Sequence, residues 1–185
     1  RGAAPQRLQA GPPGAGADGQ PGRPHHQAGD QHPYQEQPGP SRRVDRVTLL
    51  DVGPLLALVW RRHEAHERAM VWLDGTDERS GVCQVTAMGL LRLLCHPAVM
   101  STDAVSGRQA WGVLDTVLSD ERFDWRDEPI GLTDEFRRLS ATDDRSHRPW
   151  TDDYLAAFAL AASTSLTTLD RRLPARYPDL DVVAI

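Results

Sequence analysis

From Val47 onward the chain alternates apolar runs with turn signals, and the spacing of the apolar positions switches from segment to segment. Val47-Thr48-Leu49-Leu50-Asp51 is a short apolar run closed by a carboxylate, which reads as a buried parallel strand. Pro54 suits the first turn of a following helix, where its missing N–H would have had no partner, and Leu55, Leu56, Leu58 and Val59 supply that helix's buried side. A second helix is expected from Glu64 to Asp74, with Ala65, Ala69 and Trp72 at helical spacing and Gly75 as its stop. Ser80 to Gln84 reads as a second strand. The stretch from Val85 to Cys95 reads as a helix whose packing face carries Val85, Met88, Leu91, Leu94 and Cys95, with Pro97 just past its end.

The same pattern recurs from Arg108 to Leu118 through Trp111, Leu114 and Leu118. Arg122 to Trp125 reads as a strand, Thr133 to Leu139 as a short helix and 141–149 as polar loop. Thr151-Asp152-Asp153 opens a helix that buries Leu155, Phe158, Ala159 and Ala162. Leu166 to Leu169 forms a strand ending at Asp170, and Leu180 to Ile185 a closing strand. Strands alternating with helices predict an α/β fold: a mostly parallel central sheet flanked by helices on both faces. Sites on such sheets form at the carboxyl ends of the strands, where Asp51 and Asp170 both stand.

Composition divides the chain. Residues 1–44 are mostly Gly, Pro, Gln, Ala and Arg, with Leu8 and Val44 as the only large aliphatic side chains. Such a stretch cannot bury enough apolar area to offset the entropy of ordering it, so a disordered low-complexity segment is expected. It reads either as an arm that binds a partner or as upstream sequence from a wrongly assigned start. Residues 45–185 then make one domain of ordinary size.

A net charge of −5 argues against a strongly basic surface that holds nucleic acid by counterion release alone, although every one of the 21 basic residues is Arg, whose planar fork suits phosphate. Cys83 and Cys95 are too few for a disulfide framework or a four-ligand zinc site, and read as small buried hydrophobes. Neither an apolar signal core nor a run of about 20 apolar residues is present, so a cytoplasmic protein without membrane contact is expected.

Three acids carry the candidate chemistry: Asp51, Asp152 and Asp170. Each alone has an ordinary role, as a strand end, a helix-start charge or a turn opener. Two strand ends and a helix start on one sheet nevertheless predict convergence on one cleft. Carboxylates brought that close repel and take up protons, and a divalent cation resolves the conflict. Hard oxygen ligands select Mg²⁺ or Mn²⁺, which can activate water and stabilise the leaving oxygen of a phosphodiester. His63-Glu64-Ala65-His66 places its second His at i+3, which fails the zinc-protease spacing, and the pair reads as part of a partly exposed helix.

Several segments, in order, resemble toxins of the PIN-domain VapC type. Leu49-Leu50-Asp51-Val52-Gly53-Pro54-Leu55-Leu56-Ala57-Leu58 resembles their opening, commonly Leu-Leu-Asp-x-Asn-x-Leu-x-Ala-Leu. His63-x-x-His66-x-x-Ala69-x-x-Trp72 is similar to the second helix of one subgroup. Thr86-Ala87-Met88-Gly89-Leu90-Leu91-Arg92 resembles Thr-Glu-x-Gly-x-x-Arg, and Thr151-Asp152-Asp153-Tyr154-Leu155 resembles Thr-Asp-Ala-Tyr-Leu. Thr168-Leu169-Asp170-Arg171 is similar to the final Thr-Phe-Asp-Arg. The resemblance implies a metal-dependent endoribonuclease that acts on RNA, is controlled by a cognate antitoxin protein and forms a homodimer. By position it gives Asp51, Asp152 and Asp170 the metal and water, and puts Arg92 near the cleft to contact RNA phosphate or form a structural ion pair.

Two positions depart from that pattern. The family Glu falls on Ala87, which can neither bind a metal nor accept a proton, and Gly53 replaces an Asn or Ser. Asp153 is no obvious substitute, because adjacent helical residues point about 100° apart. A side chain at 87 is expected to be free to look along the sheet edge toward Asp51. The sequence therefore leaves two readings, a weakened Mg²⁺-dependent nuclease and an inactive domain that only binds an antitoxin or sister subunit. A phosphohydrolase lacks its nucleophile motif after the first strand.

Overall fold

The computed structural model describes residues 46–143, 145 and 150–185. The expectation that 1–44 lack structure falls outside those residues.

Five strands form one parallel sheet: β1 (Val47–Leu50), β2 (Arg79–Val82), β3 (Phe123–Trp125), β4 (Ser165–Thr168) and β5 (Val182–Ala184), in the order β3-β2-β1-β4-β5. Helices α1 (Val52–Val59) and α2 (His66–Gly75) connect β1 to β2. Helices α3 (Gln84–Leu94), α4 (Pro97–Met100) and α5 (Gly107–Leu118) lead to β3, α6 (Leu132–Ser140) and α7 (Trp150–Ala161) to β4, and α8 (Leu173–Arg176) to β5. The chain moves from β1 to one side and returns past it to the other. β1 and β4 therefore flank the topological switch point, where the connections diverge and a crevice opens.

Alternation along β1 explains why both faces are covered. Successive strand side chains point to opposite faces. Leu50 joins Leu55, Val82, Leu90, Leu114 and Phe123 on one face, while Leu49 joins Leu155, Phe158, Leu166 and Leu173 on the other. Inside the sheet the Thr48 and Thr167 hydroxyls bond each other at 2.8 Å, so these buried polar groups are satisfied. Among the described residues no single helix is long and apolar enough to cross a membrane.

Two helices bury faces other than those their large side chains predict. On α3 the buried residues are Thr86, Ala87, Leu90 and Leu94, while Met88 is 53 % exposed and Cys95 is exposed. On α5 they are Ala110, Leu114 and Val117, with Trp111 55 % exposed. For α3 the cause is local. The Thr86 hydroxyl donates to the Leu50 carbonyl at 2.8 Å, which turns Ala87 inward and brings Gly89 against α1. Ala87 is thus buried in the core and not free along the sheet edge.

Gly89 allows that approach. A Cβ there would lie 3.0 Å from Val52 Cγ1 and closer still to Val52 Cγ2, on a short β-branched side chain with little room to turn. Helix propensity alone would make Gly89→Ala stabilising by about 1 kcal/mol. The clash should reverse the sign, for a net loss of about 1–3 kcal/mol in urea denaturation. Adding Val52→Ala should restore most of the loss. A Gly89→Ala protein at least as stable as the natural one would refute this packing.

Candidate active site

The parallel register pairs Leu50 with Thr167, which sets Asp51 level with Thr168 at the carboxyl end of the sheet. The Asp51 N–H continues the ladder to the Thr167 carbonyl at 2.9 Å. Its carboxylate is fixed at both oxygens: Oδ1 accepts the Val52 N–H at 2.6 Å, capping α1, and Oδ2 accepts the Thr168 hydroxyl at 2.8 Å. The Thr168 oxygen in turn accepts the Asp170 N–H at 3.1 Å. One hydroxyl therefore ties the Asp51 carboxylate to the backbone that carries Asp170. Asp170 itself is exposed and accepts the Arg172 N–H at 2.9 Å.

Asp152 stands in the first turn of α7, half-buried. Burial and then the negative charge of Asp51 push its carboxyl up to about 6, with Asp170 and Asp153 adding to the rise and Arg176 opposing it. Asp51 is also raised, first by burial, against the pull of its Thr168 and Val52 hydrogen bonds, with Asp170 repelling it. The three sequence-predicted acids therefore share one neighbourhood and act on one another electrostatically. Carboxylates are the hard donors that Mg²⁺ and Mn²⁺ take, so the donor set suits such a cation in kind. As placed, the side chains do not converge on one ligand position: among the described residues no three His, Cys, Asp or Glu side chains are grouped to hold a metal ion.

Arg92 is exposed, six residues beyond Thr86 and about 9 Å further along the α3 axis. Among the described residues it has no ion-pair partner, and none of the charges acting on Asp51 or Asp152 comes from it. His63 lies in the turn before α2, not on the helix, and its Nδ1 accepts the Ala65 N–H. The His66 ring bonds the Ala57 carbonyl at 2.7 Å. Both imidazoles therefore brace the α1–α2 connection, far from any metal role.

Four residues outside the predicted set stand around these acids: Thr168, Asp153, Arg176 and Tyr177. Asp153 is 3 % exposed, and its Oδ1 accepts Arg176 Nη2 at 2.8 Å and the Tyr177 hydroxyl at 2.5 Å. Periodicity gave no sign of this, because an acid one residue past Asp152 looks like more helix-start charge. Thr168 was visible in the Thr-Leu-Asp run, but its link to Asp51 needs the β1–β4 register.

No family model matches the chain. It is similar to ribonuclease VapC41 of Mycobacterium tuberculosis, with 34 % identity over 131 residues, 67 % of this chain and 89 % of the relative. Ribonuclease VapC44 of the same organism is 33 % identical over 130 residues, 68 % of this chain and 87 % of the relative. Among solved structures, VapBC2 from Rickettsia felis bound to a promoter DNA fragment matches with a TM-score of 0.54 at 14 % identity, covering 75 % of this chain and 98 % of that one. VapC20 of Mycobacterium tuberculosis, a sarcin–ricin loop cleaving toxin, matches at 0.53 and 11 % identity, covering 70 % and 93 %. At those identities the structures establish likeness of fold.

The raised Asp152 carboxyl makes stability depend on pH. A group whose pKa is raised on folding contributes stability below its unfolded value of 3.8 and loses it as pH rises through about 6. Asp152→Asn removes that loss. In a chelator-containing buffer the variant should match the natural protein near pH 3.5 and exceed it above pH 6.5, by about 1 kcal/mol once solvent screening is allowed for. Parallel stability-against-pH curves for the two proteins would show that neither burial nor the neighbouring acids raise Asp152.

Proposed function

The chain belongs to the VapC ribonuclease family, and we propose that it is the endoribonuclease toxin of a toxin–antitoxin pair, weakened by the loss of one acid. What supports the site assignment is the mutual charge coupling of Asp51, Asp152 and Asp170 at the β1–β4 switch point. In this reading the three carboxylates would hold Mg²⁺ or Mn²⁺. Bound there, the cation would lower the pKa of a water and neutralise charge on the scissile phosphate.

The protein's own groups have separate tasks. Asp51, locked by the Val52 N–H and the Thr168 hydroxyl, provides a fixed negative edge to the cleft. Asp152, half-buried in the first turn of α7 beside Asp51, would help hold the cation and orient the water that attacks phosphorus as the bond to the leaving sugar oxygen breaks. Asp170, exposed at the rim, can turn toward either. Partners follow from the family: RNA as substrate, a cognate antitoxin protein and a second copy of the chain as homodimer, in the cytoplasm. Arg92 is kept as an outer RNA-phosphate contact.

A second reading, binding without catalysis, is favoured by one observation. Ala87 occupies the position of the family Glu and is 2 % exposed within the core formed by α1, α3 and α5. Ala87→Glu separates the two. The side chain at 87 starts inside the core, so the Glu must extend past it to the sheet edge to meet a cation; without one the variant should melt several degrees lower, and Mn²⁺ should return most of that loss. Mg²⁺-dependent RNA cleavage should rise at least about tenfold over the natural protein, the usual scale for one supporting group at a metal site. Asp51→Ala serves as the blank and should show neither cleavage nor stabilisation by Mn²⁺. An Ala87→Glu protein that cleaves no better than that blank would replace the nuclease reading with the binding one.

A further inference from the structure

The Asp153–Arg176–Tyr177 cluster lies beside the acids and has no part in the chemistry above. Its simplest role is mechanical. A carboxylate as buried as Asp153 needs a countercharge and hydrogen bonds, and Arg176 with Tyr177 supplies them, fastening α8 to α7. Yet the Arg176 side chain remains 43 % exposed. Its guanidinium sits 5.3 Å over the Tyr177 ring and gives one N–H to Asp153. The remaining donors have no hydrogen-bond partner among the described residues. Its partner Asp153 follows Asp152 in the first turn of α7, so the guanidinium stands close to the acids, and its charge acts on Asp152.

An acidic cleft that must receive a polyanion needs a fixed cation at its edge, and the net charge of −5 offers no general basic surface in its place. Arginine meets phosphate oxygens through two N–H groups at once, and its orientation here is already set by the carboxylate and the ring. Resting on the nuclease reading above, we propose that Arg176 binds a phosphate of single-stranded RNA at the edge of the cleft, held in place by Asp153 and Tyr177.

The test is binding of a fluorescent single-stranded RNA of mixed sequence to the full chain, followed by anisotropy across a salt series, with the RNA checked for intactness on a gel. Arg176→Gln should weaken binding about tenfold and flatten the dependence of log affinity on log salt by about one phosphate's worth. Arg176→Lys should keep that slope and lose part of the affinity, because a point charge replaces the fork. Since Arg176→Gln leaves Asp153 buried and unpaired, the double variant Asp153→Asn/Arg176→Gln removes both charges and should fold while showing the same loss. Tyr177→Phe, which loosens the lock but keeps the guanidinium, should bind within about twofold of the natural protein. Unchanged affinity and slope in the double variant would overturn the proposal, as would an equal loss in Tyr177→Phe, which would assign the effect to the lock. A natural protein that binds no RNA would overturn both this proposal and the nuclease reading beneath it.

Discussion

Three elements meet at the end of β1, and the placement of Asp51 and Asp170 follows from how they are tied there. The Leu50 carbonyl takes the Thr86 hydroxyl, which fixes the start of α3. The Asp51 N–H extends the ladder to β4, and its carboxylate caps α1 while accepting the Thr168 hydroxyl. Thr168 then holds the backbone of Asp170. A one-residue slip between β1 and β4 would exchange the faces of Leu49 and Leu50 and break this chain of bonds at once. The register is therefore fixed by the two-sided core and by the site together.

Electrostatics at that strand end sets like charges against one another. Burial and mutual repulsion raise Asp51 and Asp152, while the Thr168 and Val52 donors and the Arg176 charge pull the other way. An arrangement that raises its own carboxyls is poor structural engineering unless something positive visits it. The proposed cation would relieve that repulsion, and Arg176, partly open beside Asp152, already offsets some of it. Ala87 leaves the set one carboxylate short of the family pattern, which lessens the repulsion and, in the proposed nuclease reading, weakens the hold on a cation.

The fold class was readable because parallel strands buried on both faces leave short apolar runs, and the helices between them leave 3.6-residue periods. The positions of Asp51 and Asp170 followed from the same runs, since both acids close a strand. Helix faces were less legible. On α3 and α5, Met88 and Trp111 drew the expected face toward bulk, whereas the structure buries Ala87 and Ala110 because close packing there needs small residues. Gly89 was the available signal, as a glycine inside a helix implies a close neighbour. The Asp153 lock was not legible at all: its partners lie 23 and 24 residues away, on a four-residue helix and its cap that periodicity cannot detect.

The proposed site needs one cation shared by Asp51, Asp152 and Asp170, and locating it is the most direct test. Crystals of the protein soaked in millimolar Mn²⁺ and measured at the manganese absorption edge should show one anomalous peak between the ends of β1 and β4, within about 2.0–2.6 Å of oxygens from at least two of the three carboxylates. A peak elsewhere on the molecule, or none at that concentration, would contradict the shared site.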